Sequence, residues 1–158
     1  MAKRKNPRTE RGQATVEFAL TIVFVMLLIV GALELIVFTY TYSVLADSAK
    51  EGMRYAIVHG SKNGLPSGPT CPCAAIDGPP APSGVTPGYG SGYGVVRTFA
   101  RYSLHDTSTM TVSVTYPDAV NTAPNRIRVV VSYVYRPFFG LGWPTMTVHA
   151  ASEGRIAF

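Results

Sequence analysis

The sequence predicts an α+β protein in which one long N-terminal helix continues into a small domain built from a short helix and a three-stranded antiparallel β-sheet. Three observations predict this fold. Residues 18–42 are almost uninterruptedly apolar, residues 43–58 keep apolar side chains at helical spacing, and three short β-branched segments follow residue 108. A chain of 158 residues has room for one small domain besides such a helix.

The first twelve residues form a basic leader. They contain five of the fourteen basic residues of the chain but only one of its nine acidic residues. Residues 13–158 therefore carry nine basic and eight acidic side chains, so no basic stripe remains that could follow a nucleic-acid backbone. Because residues 1–12 are polar and include Pro7, we do not expect them to form a packed element.

Behind the leader, the sequence predicts one helix over residues 13–59, with a membrane span at about residues 18–42. This span reaches the roughly 20 residues that a helix needs to cross about 30 Å of hydrocarbon. A secretory signal peptide has a shorter apolar region followed by a cleavage site of small residues, which is missing here. The basic leader favours a cytoplasmic N-terminus and an exported C-terminal part. A buried helix of a soluble protein is the alternative.

Two glutamates stand in the apolar helix, Glu17 near its cytoplasmic end and Glu34 near its far end. An ionisable residue at the centre of a spanning helix costs roughly 2.5–3.5 kcal/mol, so it usually has a partner or a task. The seventeen-residue separation places the two side chains about 100° apart around the helix axis, so we expect them to face different neighbours. For each, a protonated side chain without a task is the alternative.

Two motifs of this helix resemble known sequence patterns. Gly12–Glu17 (GQATVE), between a basic leader and an apolar helix, resembles the type IV prepilin processing site. Ala49–Ala56 (AKEGMRYA) is similar to the block that closes the long helix in TadE-like pseudopilins of the tight-adherence (Flp) pilus machinery. The resemblance is good over residues 11–60 and implies a pilin-like fold. It also implies a single-pass protein of the bacterial inner membrane.

The resemblance further implies that a prepilin peptidase cuts between Gly12 and Gln13 on the cytoplasmic side. The cut creates a new α-amine on Gln13, and Glu17 lies about one turn further along the helix. A neighbouring subunit's amine would neutralise Glu17, since an unpaired charge in low dielectric is costly. Glu17 and Glu34 are therefore the predicted charge-pairing residues for assembly. Gln13 departs from the aromatic residue common at this position in other pilins, and an N-terminal Gln can cyclise and lose its amine.

Residues 60–94 are rich in glycine and proline, without an apolar period, and predict a long surface loop. Variable decoration and surface recognition are both open for it. The loop contains Cys71 and Cys73, for which a local or intersubunit disulfide, idle thiols, and metal or redox chemistry are the alternatives. The segment Gly88–Gly94 (GYGSGYG) matches neither a nucleotide-binding loop nor a nucleophile elbow and predicts a glycine hinge.

Residues 95–158 predict the helix and sheet of the exported domain. The short helix is expected at residues 95–104, with Phe99 on its apolar face, and strands at 109–116, 127–135 and 145–151. The second strand is apolar on both faces and should be central, in a meander covered by the exported half of the long helix. The connection 137–144 is unusually apolar; either Phe139 and Trp143 tuck into the edge of the core, or they form a contact patch for another subunit or the outer leaflet.

These features favour a pseudopilin or minor pilin-like protein that acts in assembly of a tight-adherence pilus. Its implied partners are the membrane, the prepilin peptidase, other pilin or pseudopilin subunits and the pilus assembly platform. The alternative is an unprocessed single-pass anchor that displays a binding or adhesion module. His59, His105 and His149 are scattered and no nucleophile or metal set accompanies them, so we predict no enzyme activity, no metal, no cofactor and no small-molecule substrate.

Overall fold

A computed structural model gives the architecture of the chain. It describes residues 7–68, 74–140 and 142–157, with side chains from residue 12 onwards except that of Ala74. The elements are α1 (Pro7–Val58), α2 (Ala74–Asp77), α3 (Val95–Arg101), β1 (Thr111–Thr115), β2 (Arg126–Tyr135) and β3 (Met146–Arg155). The chain divides into two compact units, Met1–Val37 and Phe38–Phe158. The predicted fold class, a long apolar N-terminal helix followed by a small domain with a short helix and a three-stranded antiparallel sheet, is confirmed.

Helix α1 begins at Pro7 rather than at Gln13, so the second half of the leader is helical, contrary to our expectation. Proline is compatible with the first turn of a helix, where its missing N–H would have no intrahelical partner anyway. The helix ends at Val58, where the Asn63 side-chain amide donates to the Val58 carbonyl over 2.7 Å.

The part of the chain that the structure describes contains one helix long and apolar enough to cross a membrane, at Gly12–Val58. Almost none of its most apolar stretch is buried. A core helix of a soluble protein is mostly buried, so this alternative does not fit. The helix indicates a single-pass membrane anchor.

The sheet has the order β1-β2-β3, with both pairs antiparallel. Strand β2 is central, as predicted. Strand β3 runs to Arg155, four residues beyond the predicted end, because all ten residues of β2 pair with it, from Arg126 opposite Arg155 to Tyr135 opposite Met146.

The hydrophobic core of the second unit lies between the C-terminal part of α1 and one face of the sheet. Apolar side chains at positions 127, 129 and 131 of β2 all point to this face, as the two-residue period of a strand requires. They form one cluster with residues of α1, α3 and β3, including Val44, Leu45, Ala49, Ala56, Val96, Ala100, Val148 and Ala150.

Two details of the region between α1 and the sheet differ from the sequence prediction. The predicted surface loop contains α2, whose Ile76 is fully buried in the core. In α3, Phe99 is 39% exposed and Thr98 is buried instead. The Thr98 hydroxyl donates to the Gly94 carbonyl (2.7 Å) and accepts from the Ala81 N–H (2.8 Å), so it connects α3 to the preceding segment.

Candidate processing and assembly site

The predicted processing bond, Gly12–Gln13, lies inside α1. Both residues are exposed, and a Cβ added at Gly12 would meet no atom within 4 Å. A peptidase acting on this bond needs the helix to unwind locally. Glycine lowers the cost of that step, because it is about 1 kcal/mol less favourable than alanine inside a helix.

Gln13 and Glu17 contact each other on the exposed surface of α1. The Gln13 side-chain amide donates to Glu17 Oε1 over 2.9 Å, at the i, i+4 spacing that brings helical side chains together. The hydroxyl of Thr21 donates to the Glu17 carbonyl over 2.8 Å. The structure therefore brings together two of the predicted site residues, and the Glu17 carboxylate remains open to a further partner.

The surface around Glu17 is apolar and mostly exposed. Apart from half-buried Val30, the large apolar side chains from residue 16 to residue 37 are at least 42% exposed: Val16, Phe18, Leu20, Ile22, Val23, Phe24, Val25, Met26, Leu27, Leu28, Ile29, Leu33, Leu35, Ile36 and Val37. Such a surface is unstable in water and requires lipid or other apolar helices around it.

Glu34 lies in different surroundings from Glu17. It is only 5% exposed, and it is the only buried side chain between Gly12 and Val37. Glu34 is also engaged in an interaction within its own chain. Buried Thr41 and Ser48 follow it at seven-residue steps, which places the three polar residues on one helix face. The sequence did not reveal this polar row, because Thr41 and Ser48 are ordinary residues in an exposed helix.

The block Ala49–Ala56 forms the face of α1 against which the rest of the second unit packs. Ala49, Gly52 and Ala56 are buried, at the three- and four-residue steps of one helix face. A Cβ added at Gly52 would collide with Val96 Cγ2 of α3 and approach Ile76 Cγ2 to 3.3 Å. The glycine of the block is therefore required for close packing, a reason that the sequence alone does not give.

Tyr55 of the same block holds the glycine-rich segment. Its hydroxyl accepts the N–H of Tyr89 over 2.9 Å, and its ring stacks on His59 with centroids 3.9 Å apart. Gly88 and Tyr93 pair across the segment, with the Gly88 N–H donating to the Tyr93 carbonyl over 3.0 Å. The predicted glycine hinge is thus a closed turn fixed to α1.

The charged residues of the block lie on its opposite, solvent-exposed side. Lys50 pairs with Asp47 at 3.0 Å and Arg54 with Glu51 at 3.6 Å. Pairs of this kind on a helix surface contribute about 0.3–0.5 kcal/mol each, so they help the helix without defining a site.

The connection between β2 and β3 exposes its aromatic side chains. Phe138 is 79% exposed and Trp143 is 55% exposed, and Phe139 is also exposed. Phe139 and Trp143 therefore do not tuck into the edge of the core, and the contact-patch alternative stays a prediction. Beside this connection, Phe38 and Tyr42 of α1 and Met146, Thr147 and Val148 of β3 line an apolar groove of about 500 Å³.

No catalytic constellation forms around the histidines in the part of the chain that the structure describes. His59 stacks on Tyr55, and His149 Nδ1 lies 2.7 Å from the Ser132 hydroxyl on the exposed face of the sheet. Among the described residues, no three His, Cys, Asp or Glu side chains lie close enough to hold a metal ion. Cys71 and Cys73 lie outside the described residues.

An ion pair closes the connection from β1 to β2. Arg126 Nη2 lies 3.0 Å from Asp118 Oδ1, and the Arg126 backbone N–H donates to Asp118 Oδ2 over 2.9 Å. The hydrogen bonds from the Arg126 side chain and backbone lower the pKa of Asp118, and the same contact raises the pKa of Arg126. A second carboxylate, Glu153, lies 3.6 Å from Arg126 Nη1.

Comparison with known proteins agrees with this arrangement. Residues 12–54 match the family model described as TadE-like protein, which confirms the resemblance inferred from the motifs. No curated protein and no solved structure gives a significant match. The matched segment begins at Gly12 and ends inside the block Ala49–Ala56, so it covers α1 and not the sheet. The matched segment is thus similar to a family of proteins associated with a tight-adherence pilus.

Proposed function

We propose that this chain, whose residues 12–54 match the TadE-like family, is a pseudopilin that acts in assembly of a tight-adherence pilus after a prepilin peptidase removes residues 1–12. The observation that carries the proposal is the placement of Glu17. Its carboxylate lies on an exposed apolar helix, one turn from the residue that would become the N-terminus. A carboxylate in such surroundings needs a positive partner when lipid or another helix covers it.

The α-amine of Gln13 from a neighbouring subunit is the proposed partner. Cyclisation of Gln13 would remove this amine, because the α-nitrogen would bond to the side-chain carbonyl carbon and the amide nitrogen would leave as ammonia. The hydrogen bond from that amide to Glu17 directs the Gln13 side chain along the helix, away from its own backbone nitrogen. This contact supports survival of the free amine.

The fate of the leader is the direct test of processing. We expect the protein extracted from membranes of peptidase-containing cells to begin at Gln13 with a free α-amine. Its intact mass should be that of the uncyclised chain, without the loss of ammonia that accompanies cyclisation. Cells lacking the peptidase should yield the chain from Met1. A chain that begins at Met1 in both cell types contradicts the proposal and favours an unprocessed anchor that displays a binding module.

Replacing Glu17→Gln tests the assembly role separately. We expect normal cleavage and membrane insertion, because glutamine is accepted in the helix and no charge is added. The amine of the neighbouring subunit then lacks its partner, and removing one partner of a buried ion pair costs about 3–5 kcal/mol. Crosslinked subunit pairs and surface pili should fall more than tenfold, as measured by in-cell crosslinking and pilus counts.

A matched control is Asp47→Asn, which also removes one carboxylate from α1 but only from an exposed pair with Lys50. It should leave assembly unchanged.

The Glu34→Gln variant tests the second predicted pairing residue. Glu34 is buried and already engaged within its chain, which supports a smaller assembly defect than for Glu17→Gln. Normal pili from the Glu17→Gln variant would exclude the charge-pairing role.

A further inference from the structure

We propose that the loop Pro137–Pro144, which we call the aromatic loop, inserts the side chains of Phe138, Phe139 and Trp143 into the outer-leaflet interface of the same membrane that α1 spans. The exported unit would then contact the bilayer at a second place besides its helix. This inference depends on membrane anchoring and not on the proposed role in pilus assembly.

The first step concerns what the aromatic loop exposes. Phe138 and Trp143 are mostly exposed, and Phe139 and Met146 are nearly half exposed. Gly140 and Gly142 adopt φ values of +55° and +78°, which let the backbone turn between the aromatic residues. Water is an unfavourable environment for such a cluster, whereas the interface of a bilayer accommodates it.

The second step concerns where the loop lies. Phe38 is the first residue of the second unit and directly follows the membrane-spanning unit in the chain. Its ring meets that of Tyr135 edge to face, with centroids 5.3 Å apart, and it lines the apolar groove together with Met146. Tyr135 ends β2 and Met146 begins β3. Both ends of the aromatic loop thus lie beside residues 38–42 of α1, the last residues of the predicted membrane span.

The third step concerns chemistry. The indole of Trp143 has an apolar body and an N–H donor, the combination that places tryptophan at lipid headgroups. Arg136, which is exposed at the start of the loop, can reach lipid phosphates while its stem stays in apolar surroundings. The chain has no carboxylate between Asp118 and Glu153, so the aromatic loop itself carries no side chain that repels an anionic surface. Asp106, which interacts electrostatically with Arg136, is an opposing charge beside the loop. Tyr40 and Tyr42 on α1 are exposed at the level of the helix where Phe38 lies.

The single tryptophan of the chain makes the proposal directly measurable. The full chain is reconstituted into liposomes of phosphatidylcholine and phosphatidylglycerol in which one lipid carries bromine atoms near the headgroup. Bromine quenches tryptophan only at close range. We expect at least a twofold loss of Trp143 emission relative to liposomes without bromine, together with protection from acrylamide added to the water.

The control moves the tryptophan to the other end of the exported unit. Val120 is 45% exposed, and its neighbour Asn121 accepts the backbone N–H of Ser61 just beyond the end of α1, about 30 Å along the helix from Phe38. A Trp143→Phe, Val120→Trp variant should be quenched by acrylamide and not by brominated lipid. Equal emission of Trp143 in brominated and ordinary lipid overturns the proposal. Protection from acrylamide that depends on the density of protein in the membrane also overturns it and indicates contact with a second copy.

Discussion

At the scale of single residues, Gly52 shows most clearly why the block Ala49–Ala56 has its composition. Alanine would improve helix propensity by about 1 kcal/mol. Its Cβ would collide with Val96, however, and Val96 is itself fully buried and has no space to move. Overpacking of this kind costs about 1–3 kcal/mol. We therefore expect Gly52→Ala to lower the free energy of unfolding of the second unit by up to about 2 kcal/mol, measured by denaturant titration in mild detergent.

The matched control is Gly31→Ala, another glycine inside α1, where an added Cβ would meet nothing within 4 Å. This variant should be as stable as the wild type or slightly more stable. Equal stability of both alanine variants would show that α1 moves away from α3 easily, and the packing role of Gly52 would then be wrong.

At the scale of elements, the sequence predicted what depends on local periodicity. The apolar positions of α1 and β2 repeat every 3.6 and every two residues, so both elements and the central place of β2 could be predicted from the sequence. The extension of β3 to Arg155 could not be predicted in this way, because Glu153 and Gly154 have low strand propensity. They pair only because β2 lies beside them.

The candidate site was predictable to a similar extent. Gly12, Gln13 and Glu17 are close in sequence, so their neighbourhood on one helix follows from the pattern. The burial of Ile76 depends on chain segments that are distant in sequence, which periodicity does not report. Thr98 rather than Phe99 lies in the interior, where its hydroxyl satisfies both the Gly94 carbonyl and the Ala81 N–H; this pairing joins segments that periodicity does not connect.

The connection from β1 to β2 gives a pH-dependent prediction. Because contact with Arg126 lowers the pKa of Asp118, the folded state gains stability from the ionised carboxylate. That contribution is fully present above the ordinary pKa of 3.8 and is lost as the pH falls through the lowered value in the folded state. Asp118→Asn should therefore be less stable than the wild type at neutral pH, and the difference should disappear in acid.

Unfolding titrations at a series of pH values measure this difference. Arg126→Gln removes the other partner and should abolish the same pH dependence, while the double variant adds little more, as expected for residues in direct contact. A constant difference between wild type and Asp118→Asn at all pH values would contradict the assignment.

At the scale of the whole molecule, the distribution of charge predicts how the chain is oriented across the bilayer. Five basic residues and one acidic residue precede the span, whereas the rest of the chain is nearly neutral. This asymmetry predicts that residues 1–12 stay in the cytoplasm and that the unit from Phe38 onwards is exported. Cys71 and Cys73 are the only thiols and belong to the exported part in this arrangement. In spheroplasts treated with a reductant, a membrane-impermeant maleimide should label both before lysis.

The same experiment can be run from the other side of the membrane. An Asn6→Cys variant in a Cys71→Ser, Cys73→Ser background carries its only thiol in the leader, and cells lacking the prepilin peptidase keep that leader attached. We expect labelling only after the spheroplasts are lysed, because the basic residues around position 6 resist translocation. Labelling of this variant in intact spheroplasts would invert the topology. The Gly12–Gln13 bond would then lie on the outside, where it could not be cut from the cytoplasm.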